Sequence, residues 1–169
     1  MLRYLLPAAV ITLASMLAQP ALADGCQSVL AAEAKGLDTP SHSITKIATS
    51  GSGIVTLENI AAGGKIYTKG RDGRWTAEPQ PLDRDKFAAY WSAETCTADG
   101  SETIDGHATD IVVHRSAGDP PSVARFSISR ASGLIVKTVI RNPGSVITTV
   151  ADYRNVQAPS VDASNAPAK

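Results

Sequence analysis

The feature that most constrains the fold is a series of short runs rich in Val, Ile and Thr, separated by Gly, Pro, Asp and Asn. Apolar and polar residues tend to alternate within each run, which is the pattern of a β-strand with one buried face. The connections are mostly too short for a helical crossover, and two of them contain Asp72-Gly73 and Asn142-Pro143-Gly144. The sequence therefore predicts an antiparallel sheet built from residues 43–49, 53–60, 64–69, 74–77, 108–114, 122–129, 134–141 and 145–153.

Two segments favour a helix instead. Residues 26–35 are rich in Ala and precede Gly36, a residue type favoured just beyond helix C-termini. Within residues 82–94 three aromatic side chains recur at helical spacing and share one face, namely Phe87, Tyr90 and Trp91. The next position of that face is Glu94, so the aromatic patch covers little more than one turn. This patch either packs directly on the sheet or roofs an apolar groove, and the sequence leaves both interpretations open.

The first 23 residues have the pattern of a secretory signal peptide. Arg3 supplies a basic start, residues 4–23 carry no charge, and Ala21-Leu22-Ala23 places small residues where signal peptidase requires them. We therefore expect cleavage between Ala23 and Asp24. The mature protein is then periplasmic or secreted and has no transmembrane segment. A membrane anchor is the alternative, but Pro and Gln residues interrupt the apolar run and disfavour a spanning helix.

The chain has two cysteines, Cys26 and Cys96. A structural disulfide between them is the simplest expectation for an exported domain that lacks Cys-x-x-Cys spacing. Closing so long a loop is worth about 4 kcal/mol in chain-entropy models. The alternative is a lipoprotein in which Cys26 is acylated. Ala23 and Asp24 stand where such a signal uses Leu and a neutral residue, and they disfavour this alternative.

Charge and spacing argue against several functional classes. Loss of Arg3 with the signal peptide leaves 15 basic and 16 acidic residues, and no run of basic residues suits nucleic acid or an anionic membrane surface. His107, Asp110 and His114 do not fit a metal site, because residues four apart on a strand are about 13 Å apart. We expect ordinary surface histidines. No nucleophile motif or phosphate-binding loop is recognisable, so we expect a non-enzymatic protein without a metal or cofactor.

The domain organisation follows from composition. Residues 24–157 are long enough to bury a core as one β-rich domain. Residues 158–169 are rich in Ala, Pro and Ser, and we expect them to form a disordered tail.

Several short motifs occur in an order that resembles the lipoprotein-carrier (Lol-like) superfamily of small secreted proteobacterial proteins. The strongest match is a strand, then x-Ser-Gly-Leu, then a strand that returns towards a Tyr-containing end. The resemblance spans about residues 43–159. In chain order the motifs are Ile66-Tyr67-Thr68-Lys69-Gly70, Arg74-Trp75, Cys96, Gly100-x-Glu102-x-Ile104-x-Gly106-His107-Ala108, Phe126-Ser127-Ile128-Ser129, Ser132-Gly133-Leu134 and Asp152-Tyr153-Arg154-Asn155.

The resemblance implies an α+β fold in which a strongly curved antiparallel sheet forms a half-open barrel, with one or two helices on its concave face. It also implies that this face binds a lipid or another apolar ligand, because the carriers hold acyl chains of lipoproteins there. The candidate ligand-binding side chains are then Tyr67, Trp75, Phe87, Tyr90, Trp91 and Phe126. The alternative is a periplasmic structural or interaction module whose own helix fills the concave face and which binds a protein partner. A pocket beneath the aromatic helix would favour ligand binding.

Overall fold

The computed structural model describes residues 25–80 and 84–161. The predicted signal peptide lies outside these residues. Neither of the two described helices is long and apolar enough to cross a membrane. The elements are α1 (Gly25–Leu37), β1 (Ser41–Thr49), β2 (Gly53–Ala62), β3 (Lys65–Lys69), β4 (Trp75–Pro79), α2 (Arg84–Ala93), β5 (Cys96–Ile104), β6 (His107–Ser116), β7 (Ser122–Ser129), β8 (Ile135–Asn142) and β9 (Ser145–Asp152).

All nine described strands form one antiparallel sheet with the order β4-β3-β2-β1-β9-β8-β7-β6-β5. Strands β1 to β4 form one meander and β5 to β9 form a second, and pairing of β1 with β9 joins the two. Since β4 and β5 lie at opposite edges, the segment that contains α2 has to pass from one edge to the other. The predicted α+β fold, a curved antiparallel half-open barrel with two helices, is confirmed.

One strand, β5, lies in a segment whose sequence does not predict a strand, so the count of eight was wrong. Its pairing with β6 shifts register between Ala98 and Ser101, and Gly100 between them has a φ of 80°. A bulge of this kind breaks the alternation on which strand prediction depends. Asp105 and Gly106 then have φ values of 47° and 80°, as a type I′ hairpin turn requires. The other eight strands match their predicted ranges to within two residues at each end.

The register defines two faces of the sheet. Val112, Ala124 and Phe126 pack with α1 and α2 residues, and we call their side the helix face. Directly opposed residues share a face, so the helix face continues from Ile140 through Ile147 and Ile47 to Val55 on β2. The opposite side, reached by the alternating side chains, is called the outer face.

Helix α1 packs against β5 to β8 and against α2. The disulfide between Cys26 and Cys96, expected from the sequence, is present and joins the first turn of α1 to the start of β5. Around it, Val29 and Val112 are fully buried, and burial of each such side chain is worth about 1.5–3 kcal/mol. The main hydrophobic cluster therefore lies under one half of the helix face.

Residues 153–161, which follow β9, have no regular secondary structure. Residues 154–157 lie beside His42 and Ile60 on the outer face. Residues 162–169 of the predicted disordered tail lie outside the described part of the chain, and the tail stays a prediction.

Candidate functional site

Trp91 is the centre of an aromatic cluster between α2 and the sheet. Its ring meets those of Phe126 and His114 edge-on, with centroids 5.6 and 5.3 Å apart. Trp91 is 5% exposed, whereas the neighbouring Tyr90 is 49% exposed. The side chain of Phe87 lies outside the described residues. The interpretation of the aromatic patch as a packed surface therefore holds for Trp91, while Tyr90 lies at the surface.

His114 is buried in this cluster, so the expectation of ordinary surface histidines was wrong for this residue. It is 4% exposed, and its Nε2 lies 2.6 Å from a carboxylate oxygen of Glu94. The strand alternation carries the signal for its burial, because His114 follows the buried Val112 by two residues and shares its face. Glu94, which ends the aromatic stripe in sequence, is the hydrogen-bond partner that a buried imidazole needs.

Glu33 links this cluster to Tyr153, which follows the central strand β9. The indole N–H of Trp91 donates to its carboxylate over 3.0 Å. Burial raises the pKa of the Glu33 carboxyl above its ordinary value, and the bond from Trp91 opposes this increase. Burial, and then the charge of Glu33, raises the pKa of Tyr153, whose hydroxyl donates to the Ile135 carbonyl over 2.8 Å. Glu33 thus lies between α2 and the residue that follows β9.

A pocket of about 360 Å³ lies on the helix face beside the C-terminal half of α1, and we call it the α1 groove. None of the lining residues that the structure describes belongs to α2. Small side chains leave this space open, and a β-carbon added to Gly36 would lie 3.8 Å from the Tyr153 hydroxyl. The pocket is therefore beside α1 and not beneath the aromatic helix. Its walls include Ala32, Glu33, Gly36, Leu37, Ala61, Thr149, Ala151 and Tyr153.

An apolar strip extends the helix face away from α1. It consists of Ile147, Ile47, Val55 and Leu57, which lie on the adjoining strands β9, β1 and β2. Val55 is 43% exposed and Leu57 is 37% exposed. Next to the strip the hydroxyls of Thr45 and Thr149 satisfy each other over 2.9 Å, so these polar groups do not interrupt it. The groove and the strip lie on the same face and adjoin at Thr149, which lines the groove and lies opposite Thr45.

The predicted aromatic ligand residues do not all come together. Trp91 and Phe126 meet on the helix face, whereas Tyr67 and Trp75 lie on the outer face of β3 and β4. There the Lys69 ammonium lies 5.4 Å from the centre of the Trp75 ring. The sheet separates the two groups. Among the described residues no three His, Cys, Asp or Glu side chains are placed to hold a metal ion.

None of the described groove residues was among the candidates from sequence. Glu33, Ala151 and Tyr153 illustrate why. Glu33 could have been noticed as an acidic residue within the apolar face of α1, next to Val29 and Leu30 in helical spacing. Ala151 gives no signal of its own, because a small side chain marks a pocket only by the space that it leaves open.

No protein-family model and no curated protein matches this chain. Solved structures do match. The lipoprotein LppX of Mycobacterium tuberculosis is 13% identical, with 80% of this chain and 98% of LppX covered and a TM-score of 0.55. LprF of Mycobacterium bovis is 14% identical over 80% of this chain and 96% of LprF, with a TM-score of 0.50.

The Pseudomonas aeruginosa MucA/MucB complex contains a third similar chain, 14% identical, with a TM-score of 0.52 over 80% of this chain and 59% of that one. The fold is Lol-like. The resemblance indicated by the sequence motifs is therefore confirmed at the level of the fold. Since the identities are only 13–14%, the Lol-like fold by itself assigns no ligand or partner to this chain.

Proposed function

We propose that this protein is an exported, non-enzymatic binding protein that holds the apolar part of a lipid in the α1 groove and along the apolar strip. The observation that carries the proposal is the groove itself. Thr149 in its wall lies opposite Thr45, and Thr45 lies opposite Leu57, an exposed residue of the apolar strip. Its volume of about 360 Å³ is within the usual range for small-molecule pockets. Each buried methylene of an acyl chain contributes about 0.8 kcal/mol, so a short stretch of chain is enough for binding.

The polar end of the groove favours an uncharged head group. Glu33 and Tyr153 both line the groove, and the pKa of Glu33 is raised because its charged form is poorly solvated. A ligand carboxylate placed beside Glu33 would add a second negative charge to this partly buried site. A ligand hydroxyl group can instead donate to a Glu33 carboxylate oxygen or to the Tyr153 oxygen, whose own hydrogen is donated to the Ile135 carbonyl. We therefore expect neutral acyl esters to bind more tightly than free fatty acids.

Export to the periplasm or to the outside of the cell is part of the same proposal. It is supported by the signal-peptide pattern of residues 1–23 and by the disulfide, since disulfides persist in oxidising compartments. The bond to Cys96 also occupies the thiol that acylation of Cys26 would need, and Cys26 is 2% exposed. Mass spectrometry of the exported protein should find an unmodified N-terminus at Asp24. A diacylated Cys26 would contradict this part.

Native mass spectrometry of protein purified from the periplasm, followed by organic extraction, tests the ligand. We expect a bound species that dissociates at raised collision energy and is recovered in the extract as a neutral acyl lipid. Clean apo protein that also fails to take up added monoacylglycerol would contradict the proposal.

A protein partner is the second candidate, and the exposed apolar strip is the observation that favours it. A similar solved structure, MucB, is in complex with MucA. If a partner covers the strip, Leu57→Asp should abolish association with that partner and leave lipid in the extract unchanged. Loss of lipid with Leu57→Asp would instead favour the first candidate.

A further inference from the structure

A second pocket, of about 300 Å³, lies on the outer face of β6, β7 and β8, across the sheet from the helices. We call it the outer-face pocket. Asp99 and Glu102 contribute two carboxylates to it. Its cationic lining residues are Arg115, Arg125, Lys137 and Arg141. These four residues come from three strands within residues 115–141, and strand register brings them together.

The register explains how the cations surround the pocket. Arg115 on β6 and Arg141 on β8 both lie opposite Val123 on the strand between them. Two strand spacings separate the backbones of the two arginines, which is about 10 Å. Arg125 lies between Val113 and Val139 in the next row. Three valines therefore form an apolar floor, with Arg115 and Arg141 on either side of it and Arg125 in its middle.

The two carboxylates do not neutralise the four cationic side chains of the pocket. Asp99 and Glu102 approach only Arg125, at 3.7 and 3.8 Å, and Glu102 also accepts a hydrogen bond from Ser127 over 2.6 Å. Within the described part of the chain, Arg115, Lys137 and Arg141 have no carboxylate partner. The formal charge of the pocket is four positive against two negative, or +2, although the whole chain has a net charge of zero.

We propose that the outer-face pocket binds a phosphate-type anion. Guanidinium groups present planar pairs of N–H donors that match phosphate oxygens. The valine floor keeps water from one side of the bound group and so strengthens its attraction to the surrounding cations. Such an anion is either a free phosphate compound or the phosphate of a lipid head group. This pocket and the α1 groove lie on opposite faces of the sheet and share Lys137 in their linings.

Calorimetric titration with pyrophosphate at low salt tests the free anion, and co-sedimentation with phosphatidylglycerol vesicles, against phosphatidylcholine vesicles, tests the head group. We expect binding in at least one of these two assays. The double variant Arg115→Gln, Arg141→Gln should weaken it about tenfold or more, since it removes two charge-assisted donors. Both side chains are exposed, so the variant is expected to fold, which circular dichroism and thermal unfolding verify.

The matched control is the double variant Lys65→Gln, Arg71→Gln, which removes the same charge from exposed positions outside the pocket. It should change the affinity less than about twofold. Arg115→Lys, Arg141→Lys keeps the charge but not the planar donors, and should have an intermediate affinity. Absence of binding in both the calorimetric and the vesicle assay would overturn the proposal. An equal loss in the control would overturn it too, because binding would then depend on net charge alone.

Discussion

The indole N–H of Trp91 donates to the carboxylate of Glu33 over 3.0 Å, and this bond ties α2 to α1. Trp91 belongs to the packed half of the helix face, and Glu33 lines the α1 groove. A buried indole needs such an acceptor, and here the acceptor is the group at the polar end of the groove. The pair therefore marks the boundary between the filled core and the open binding surface.

Replacement of Trp91 by Ala should lower the free energy of unfolding by about 3–5 kcal/mol, because it leaves a cavity among Cys26, Val29 and Phe126. Tyr90→Ala is the matched control, with a cost well below that, since Tyr90 is 49% exposed. Urea denaturation measures both. A Trp91→Ala protein as stable as the wild type would show that this residue does not belong to the core.

Replacement of Glu33 by Gln should change how stability depends on pH. Burial raises the folded-state pKa of Glu33, so its ionisation destabilises the protein as pH rises above the unfolded value near 4.3. The Gln side chain keeps an oxygen that accepts the hydrogen bond from Trp91, and it carries no charge. The melting temperature of the variant minus that of the wild type should therefore increase as the pH rises from 4 to 7. A difference that is constant over this range would contradict the raised pKa.

Removal of the disulfide by Cys26→Ser, Cys96→Ser should cost about 4 kcal/mol of unfolding free energy. Neither cysteine lines the α1 groove, so affinity for a lipid probe should stay unchanged under conditions where the variant is folded. Thiol labelling of the oxidised wild type should detect no free cysteine. Reactive thiol, or loss of binding in a folded variant, would contradict a purely structural bond.

Glu94→Ala should destabilise the protein by about 1–3 kcal/mol, because it leaves the buried His114 ring without its acceptor. Glu94→Gln keeps an acceptor oxygen and should cost less. Glu78→Ala, on the exposed part of β4, controls for loss of a carboxylate and should be close to neutral. Chemical denaturation ranks the three variants, and equal costs for all of them would rule out a specific role for the pair.

The sequence predicted most of the sheet because alternation is strong wherever one face of a strand is buried. It failed at β5, where the bulge around Gly100 interrupts the alternation. The two helices were predicted from Ala content and aromatic spacing, and these signals are local. The pairing of β1 with β9 is not local, and only the superfamily resemblance pointed to a sheet that curves into a half-open barrel.

The candidate site was harder to predict because a pocket is the space that small side chains leave unfilled, and no residue type marks it directly. The ligand-binding residues predicted from sequence were all large aromatic side chains. Of these, Tyr67 and Trp75 face away from the helices, whereas the small residues Ala61 and Ala151 line the groove. The outer-face pocket was missed for a related reason. Its arginines lie on three different strands, and only the register determines that they meet on one face.

Ligand binding in the α1 groove is tested most directly by filling the groove. Ala61→Leu adds three carbon atoms to its wall, whereas Ala48→Leu makes the same change at a half-buried position on the outer face. Displacing about three methylenes of ligand corresponds to about 2.4 kcal/mol, or at least tenfold in affinity. Titration with a fluorescent monoacylglycerol should show this loss for Ala61→Leu and less than about a twofold change for Ala48→Leu. Wild-type affinity in a folded Ala61→Leu protein would contradict binding in the groove.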